Sequence, residues 1–82
     1  MKQLFYFSAE WCSPCKAFAP IMDQATKQGI SVKKFNIDYT PDASTLYGIK
    51  SIPTVILVEN EQEVRRFTGS RSLQQVIDFY NG

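Results

Sequence analysis

A length of 82 residues, a hydrophobic fraction of 44% and a net charge of +1 allow one small domain, residues 1–82, with a true apolar core. There is no basic excess or polybasic run to neutralise phosphates, so nucleic acid is excluded as a default partner, and no apolar run approaches the ~20 residues that span a bilayer. The chain has no histidine, which removes Cys–His proteases, histidine general bases and Cys/His zinc sites.

The opening M-K-Q-L-F-Y-F is too short for a signal peptide and no cleavage site follows it, so the expected location is cytoplasmic. Lys2 to Phe7 is apolar at consecutive positions, the pattern of a strand buried on both faces. From Ser13 the period changes. Cys15, Phe18, Met22 and Ala25 recur at helical spacing, with Ala17 and Ile21 widening the stripe. Pro14 suits the first turn of this helix and Gly29 its stop, whereas Pro20 lies inside it and is expected to kink it, since it cannot donate to the Lys16 carbonyl. Val32 to Ile37 reads as the second strand, completing a βαβ unit with a right-handed crossover. Thr40 and Pro41 open a short helix that Gly48 follows, with Thr40 as its N-cap. Thr54 to Val58 is a strongly apolar strand, and Glu59 to Gln62 a turn in which Asn60 can be left-handed. Glu63 to Phe67 returns as an edge strand carrying Arg65 and Arg66. Ser72-Leu73-Gln74-Gln75 is a capping box, and Leu73, Val76, Ile77 and Tyr80 form the apolar face of a last helix.

The order β-α-β-α-β-β-α, without linker, repeat or low-complexity segment, predicts an α/β fold. Its four-stranded mixed sheet has order 2-1-3-4, with the third strand antiparallel to its neighbours. The long and C-terminal helices are expected on one face and the short helix on the other.

Both thiols of the chain, Cys12 and Cys15, stand at the first strand-to-helix junction. In a reducing compartment a C-x-x-C pair is more often catalytic or metal-binding than a structural staple. Two cysteines supply only half a tetrahedral zinc site, and the strand-to-helix position within a βαβ unit favours redox chemistry. A thiolate at a helix N-terminus faces unpaired N–H groups and the positive end of the dipole, which lowers its pKa from about 8.5 to roughly 7 or below. Cys12 is then the exposed attacking thiol. Cys15, one turn in and facing the core, is the thiol that resolves the mixed disulfide.

W-C-S-P-C-K, residues 11–16, resembles the thioredoxin active site, whose usual form is W-C-G-P-C-K. The likeness extends over nearly the whole chain: Phe7, Ala9 and Glu10 before the cysteines, F-N-I-D at Phe35 to Asp38, Y-G-I-K-S-I-P-T at Tyr47 to Thr54, and Gly69. The resemblance implies a minimal thioredoxin fold with Cys12 as nucleophile, Cys15 as resolving thiol and Pro53 as the cis-proline beside the disulfide. Trp11, Ile52 and Gly69 would form a flat apolar substrate surface, and Lys34 matches a family lysine near the site. Three departures stand out. The N-terminal strand and helix of full-length thioredoxins are missing, Ser13 replaces the usual glycine, and Tyr6 stands where the family has a buried aspartate that helps deprotonate the resolving thiol. A phenol of pKa about 10 is a poor base at pH 7, which leaves the acceptor of the Cys15 proton open: Tyr6 ordering a water, or another carboxylate such as Asp38 reaching the site from the end of its strand.

The function implied is a protein-disulfide reductase that binds no cofactor and no metal beyond its redox-active Cys12–Cys15 disulfide. Its expected partners are disulfide-containing proteins and a thioredoxin reductase-like electron donor, with no nucleic acid or membrane, and the protein is expected to be a monomer. Two alternatives are a glutaredoxin-like reductase using glutathione, against which W-C-S-P-C differs from C-P-Y-C, and a redox-independent binding subunit using the same apolar surface.

Overall fold

The computed structural model describes all 82 residues. In chain order the elements are β1 (Lys2–Ser8), α1 (Ser13–Lys27), β2 (Val32–Asn36), α2 (Pro41–Leu46), β3 (Thr54–Glu59), β4 (Gln62–Thr68) and α3 (Leu73–Asn81). The strands form one sheet in order β2-β1-β3-β4. β1 and β2 are parallel, with Leu4 opposite Val32 and Ser8 opposite Asn36, while β3 runs antiparallel to both β1 and β4. The order and directions are those expected from the sequence.

The consecutive apolar residues of β1 divide between two cores. Leu4 and Tyr6, with Val55 and Leu57 of β3, meet Phe18, Met22 and Ala25 of α1 and Val76 of α3. On the other face Phe7, Ile56 and Val58 meet Phe5, Phe35, Ala43 of α2 and Tyr47 at its C-cap. Phe7 stacks on Phe35 with ring centroids 4.7 Å apart, and Phe18 stands edge-on to Tyr6 at 5.7 Å. Each fully buried large side chain of this kind contributes about 1.5–3 kcal/mol from removal of apolar area from water. The central strands β1 and β3 thereby fix where β1 ends, and the end of β1 fixes where α1 and its cysteines begin.

Edge strand β4 explains its two arginines. Arg66 crosses the α2 face, donating to Glu63 at 2.6 Å and to the Tyr47 carbonyl at 2.8 Å. Arg65 crosses the opposite face, donating to the Phe79 carbonyl at 2.7 Å and lying 5.3 Å above the Phe79 ring. A register shift between Leu57 and Val58 accounts for the loose alternation of this strand.

α1 is helical on both sides of Pro20; Pro20 and Lys16 are both on the exposed side, so the carbonyl that loses its donor is on the solvent face. Two local expectations need amendment. Thr40 stands at the N-cap of α2 but its hydroxyl does not cap; it donates instead to the Asn36 carbonyl at 2.9 Å. In the β3–β4 turn Glu61 as well as Asn60 is left-handed, with φ of 68° and 54°. The capping box of α3 forms in full, with Ser72 accepting from the Gln75 amide at 3.2 Å and Gln75 accepting from the Ser72 amide at 2.9 Å.

A left-handed conformation costs a non-glycine residue about 1–2 kcal/mol, while glycine loses about 0.4–1 kcal/mol more backbone entropy on folding. Glu61→Gly should therefore raise stability by about 0.5–1 kcal/mol, making the Asn-Gly turn that hairpins favour. A urea midpoint that stays put or falls would show that Glu61 is not held in this conformation in solution.

Candidate active site

Cys12 is the N-cap residue of α1, in an extended conformation (φ −89°, ψ 110°) that ends the turn from β1. Its carbonyl accepts from the Lys16 amide at 3.1 Å, and its sulfur accepts from the Cys15 amide at 3.3 Å. Pro14 lies in the first turn, and no acidic residue there offsets the positive end of the helix dipole. Cys15 follows one turn in, with the two Cα atoms 5.2 Å apart and the sulfurs joined as a disulfide. The Cys15 N–H directed at the Cys12 sulfur is a donor placed to form a charge-assisted hydrogen bond with a thiolate at that position once the disulfide is reduced.

Ala9, Ile37 and Ile52 pack around the two cysteines. Cys12 is only 5% exposed, less than the sequence reading implies for an attacking thiol, because its side chain turns back to cap α1 while these three residues close over it. Its sulfur lies 3.9 Å from the Ile52 carbonyl oxygen. The Ile52–Pro53 peptide is cis, and Pro53 is buried beneath the surface that Ile52 partly exposes. Gly69, with φ of 84°, donates its amide to the Pro53 carbonyl at 2.8 Å, tying the end of β4 to this loop. The Ile52 amide donates to no group in the chain. Trp11 is 64% exposed yet held in place, its indole Nε1 donating to Asp38 Oδ2 at 3.0 Å. Asp38 is thus at Trp11 and is not among the residues lining the cleft beside Cys15.

A cleft of about 290 Å³ flanks Trp11 and Ile52, lined also by Ile37, Ile49 and Lys50. A larger cavity of about 590 Å³ lies at the opposite end of the sheet, between Met1, Phe5, Tyr47 and Val58. Neither thiol lines it, so its size does not make it the redox site.

Tyr6 lies on the other side of the disulfide. It is 2% exposed and its hydroxyl donates to the Cys15 carbonyl at 3.3 Å. Burial pushes the phenol above its usual 10.0, with the Asp23 charge adding and the Ser8 hydroxyl opposing. Lys34 reaches from β2 to α1 and pairs with Asp23 at 2.8 Å, and its hydrogen bond and charge hold that carboxyl below the usual range. Asp38, expected from the sequence as a carboxylate able to reach Cys15, is bound to Trp11 instead. For Asp38 a signal existed: parallel pairing of Ser8 with Asn36 carries the residues just beyond each strand, Trp11 and Asp38, to the same end of the sheet. No group of three or more metal-ligating side chains converges anywhere, and no helix is long and apolar enough to cross a membrane.

The fold and the paired cysteines define a thiol–disulfide oxidoreductase. Residues 1–81 match the thioredoxin family model. A thioredoxin of Rickettsia conorii is 41% identical over 78 residues, 92% of this chain and 74% of its own, and one of Buchnera aphidicola is 40% identical over 92% of this chain and 72% of its own. Among solved structures, a mutant thioredoxin from Halobacterium salinarum superposes with a TM-score of 0.91 at 25% identity, covering 98% of this chain and 72% of that one. The malaria parasite's thioredoxin-2, titled as a component of its protein secretion machinery, gives 0.92 at 26%, covering 99% and 82%. The chain belongs to the thioredoxin family, and it acts as a protein-disulfide oxidoreductase. The family implies disulfide substrates and a reductase that recycles the dithiol.

Proposed function

We propose that Cys12 is the nucleophile and Cys15 the resolving thiol of a protein-disulfide reductase. The observation that carries the assignment is the Cys15 amide directed at the Cys12 sulfur, at 3.3 Å on the N-terminus of α1. The Cys12 thiolate attacks one sulfur of a substrate disulfide, whose S–S bond breaks and releases the other sulfur as a thiolate. Cys15 loses its proton and attacks Cys12 Sγ. The mixed disulfide breaks, the electron pair leaves on the substrate sulfur, and the Cys12–Cys15 disulfide forms. The substrate gains two electrons and two protons, and the dithiol loses them.

Substrate recognition falls to Trp11, Ile52, Pro53 and Gly69. Trp11 and Ile52 supply apolar surface beside the disulfide. The free Ile52 N–H offers a main-chain donor to an extended segment, the geometry of strand addition. Pro53 and Gly69 hold the two loops together through their backbone bond. The protein works in the cytoplasm as a monomer. Thioredoxin reductase recycles it, and the disulfide is its only redox group.

The test compares two electron sources for the same disulfide-bonded protein substrate: thioredoxin reductase with NADPH, and glutathione with its reductase. Reduction through the first system is the expected result. Reduction through glutathione alone would move the protein to the glutaredoxin-like reading. A Cys12→Ser, Cys15→Ser double variant should lose all reduction; full biological activity in that variant would make it a binding subunit.

A further inference from the structure

The resolving step requires a base, because Cys15 must shed its proton as it attacks. Cys15 is 3% exposed, but it lines an open cleft of about 240 Å³ between α1 and the C-terminal ends of β1 and β2. The cleft walls carry Tyr6 and Ser8 from β1, Lys16 from α1, Lys34 and Asn36 from β2, and Glu10 from the turn. We infer that Glu10 is the group that accepts the Cys15 proton, through solvent in this cleft. The inference rests on Cys15 being the resolving thiol, as proposed above.

Each other group fails for a stated reason. Lys16 and Lys34 are cations at neutral pH and have no free lone pair. The Tyr6 hydroxyl already donates to the Cys15 carbonyl, and its burial makes it a donor that holds its proton. Ser8 and Asn36 are neutral, and the Asn36 side-chain oxygen is taken by the Asp38 amide at 2.9 Å. Asp23 is outside the cleft lining and is pinned by Lys34, which favours its unprotonated form. Asp38 is held at Trp11. Glu10 is the one carboxylate in the wall, and it makes neither of the two ion pairs of the structure. A base that works through an intervening water molecule is within the ordinary reach of general base catalysis. The step balances: the Cys15 S–H bond breaks, its proton passes to the Glu10 carboxylate, the sulfur lone pair forms the bond to Cys12 Sγ, and the departing substrate thiolate takes a proton in turn from solvent or Glu10.

The sign of the mutational effect separates this role from a mere neighbouring charge. A nearby negative charge disfavours a thiolate, so neutralising Glu10 would by electrostatics alone ease Cys15 ionisation and speed resolution. Loss of the acceptor slows it. The experiment mixes reduced protein with a chromophoric aromatic disulfide in stopped flow, where the first thiolate released reports attack by Cys12 and the second reports resolution by Cys15. Glu10→Gln should slow the second phase about tenfold near pH 7, with the gap narrowing as pH rises and hydroxide takes over removal of the proton. Glu10→Asp should keep most of the wild-type rate. The first phase should not slow in either variant. A Glu10→Gln second phase equal to or faster than wild type across neutral pH overturns the inference. A missing first phase in the wild type would instead overturn the assignment of Cys12.

Discussion

Replacing Cys15 by serine should give a protein that reacts with a disulfide once and then stops. The attacking thiol keeps its setting, because the group that stabilises it is the residue 15 amide at 3.3 Å and not the residue 15 side chain. The helix cap is likewise kept, since the Cys12 carbonyl still accepts from Lys16. Serine cannot resolve the mixed disulfide, as its hydroxyl is a far weaker nucleophile than a thiolate at neutral pH and forms no S–S bond. Multiple turnover should fall roughly 10³-fold or more, while alkylation of Cys12 by iodoacetamide stays within about twofold of the reduced wild type. Mass spectrometry of Cys15→Ser incubated with a substrate should find one substrate molecule per chain, released by added thiol. Sustained turnover above about a tenth of the wild-type rate would show that an outside thiol resolves the complex and that Cys15 is not the resolving group in this protein.

Tyr6→Asp should exchange stability for speed. Tyr6 is buried against Phe18, with its hydroxyl at the Cys15 carbonyl. Removing a buried aromatic costs about 3–5 kcal/mol, a large share of the roughly 5–15 kcal/mol that a domain possesses. A buried carboxyl adds a pH-dependent loss. Desolvation raises its native pKa above the unfolded value near 3.9, so the native state holds the proton more tightly than the unfolded chain does. The variant therefore suffers least below that value and loses further stability as pH rises through the raised native pKa. Where the carboxylate is ionised it lies next to Cys15 and can take the proton without crossing the cleft, and resolution near pH 7 should be about tenfold faster than in the wild type. Tyr6→Asn carries a similar packing defect without a base. A urea midpoint lowered in both variants, with faster resolution only in Tyr6→Asp, is the expected pattern. A folded Tyr6→Asp whose resolution matches Tyr6→Asn would show that proton removal from Cys15 does not limit the step.

Most of the fold was legible because its signals are local and agree with one another. The apolar run from Lys2, the helical stripe through Phe18 and Met22, Pro41 in a first turn and the Ser72–Gln75 capping box each point to one element with one boundary. The parallel first pair then leaves few sheet orders open. What stayed hidden depends on where elements meet. Glu61 is left-handed because a two-residue hairpin loop needs both central residues so, and nothing in glutamate itself announces that. Thr40 gives its hydroxyl to Asn36 because the chain turns tightly from β2 into α2. The shielding of Cys12 comes from Ile37 and Ile52, distant in sequence and adjacent only once β2 and the loop before β3 have packed. Glu10 reads as one more solvated charge until α1, β1 and β2 enclose the cleft it borders.

The Cys12 sulfur is stabilised by main-chain groups, its N-cap position on α1 and the Cys15 amide, in a first helical turn that contains no acidic side chain. Peptide dipoles do not change when side chains are exchanged, so this main-chain contribution persists whatever charges are displayed around Trp11 and Lys50. The apolar rim of the groove can be rewritten to suit a different client, altering which disulfides are met and how fast they are found, while the main-chain donor aimed at the Cys12 sulfur stays in place; a new charge set beside that sulfur would act on it as well.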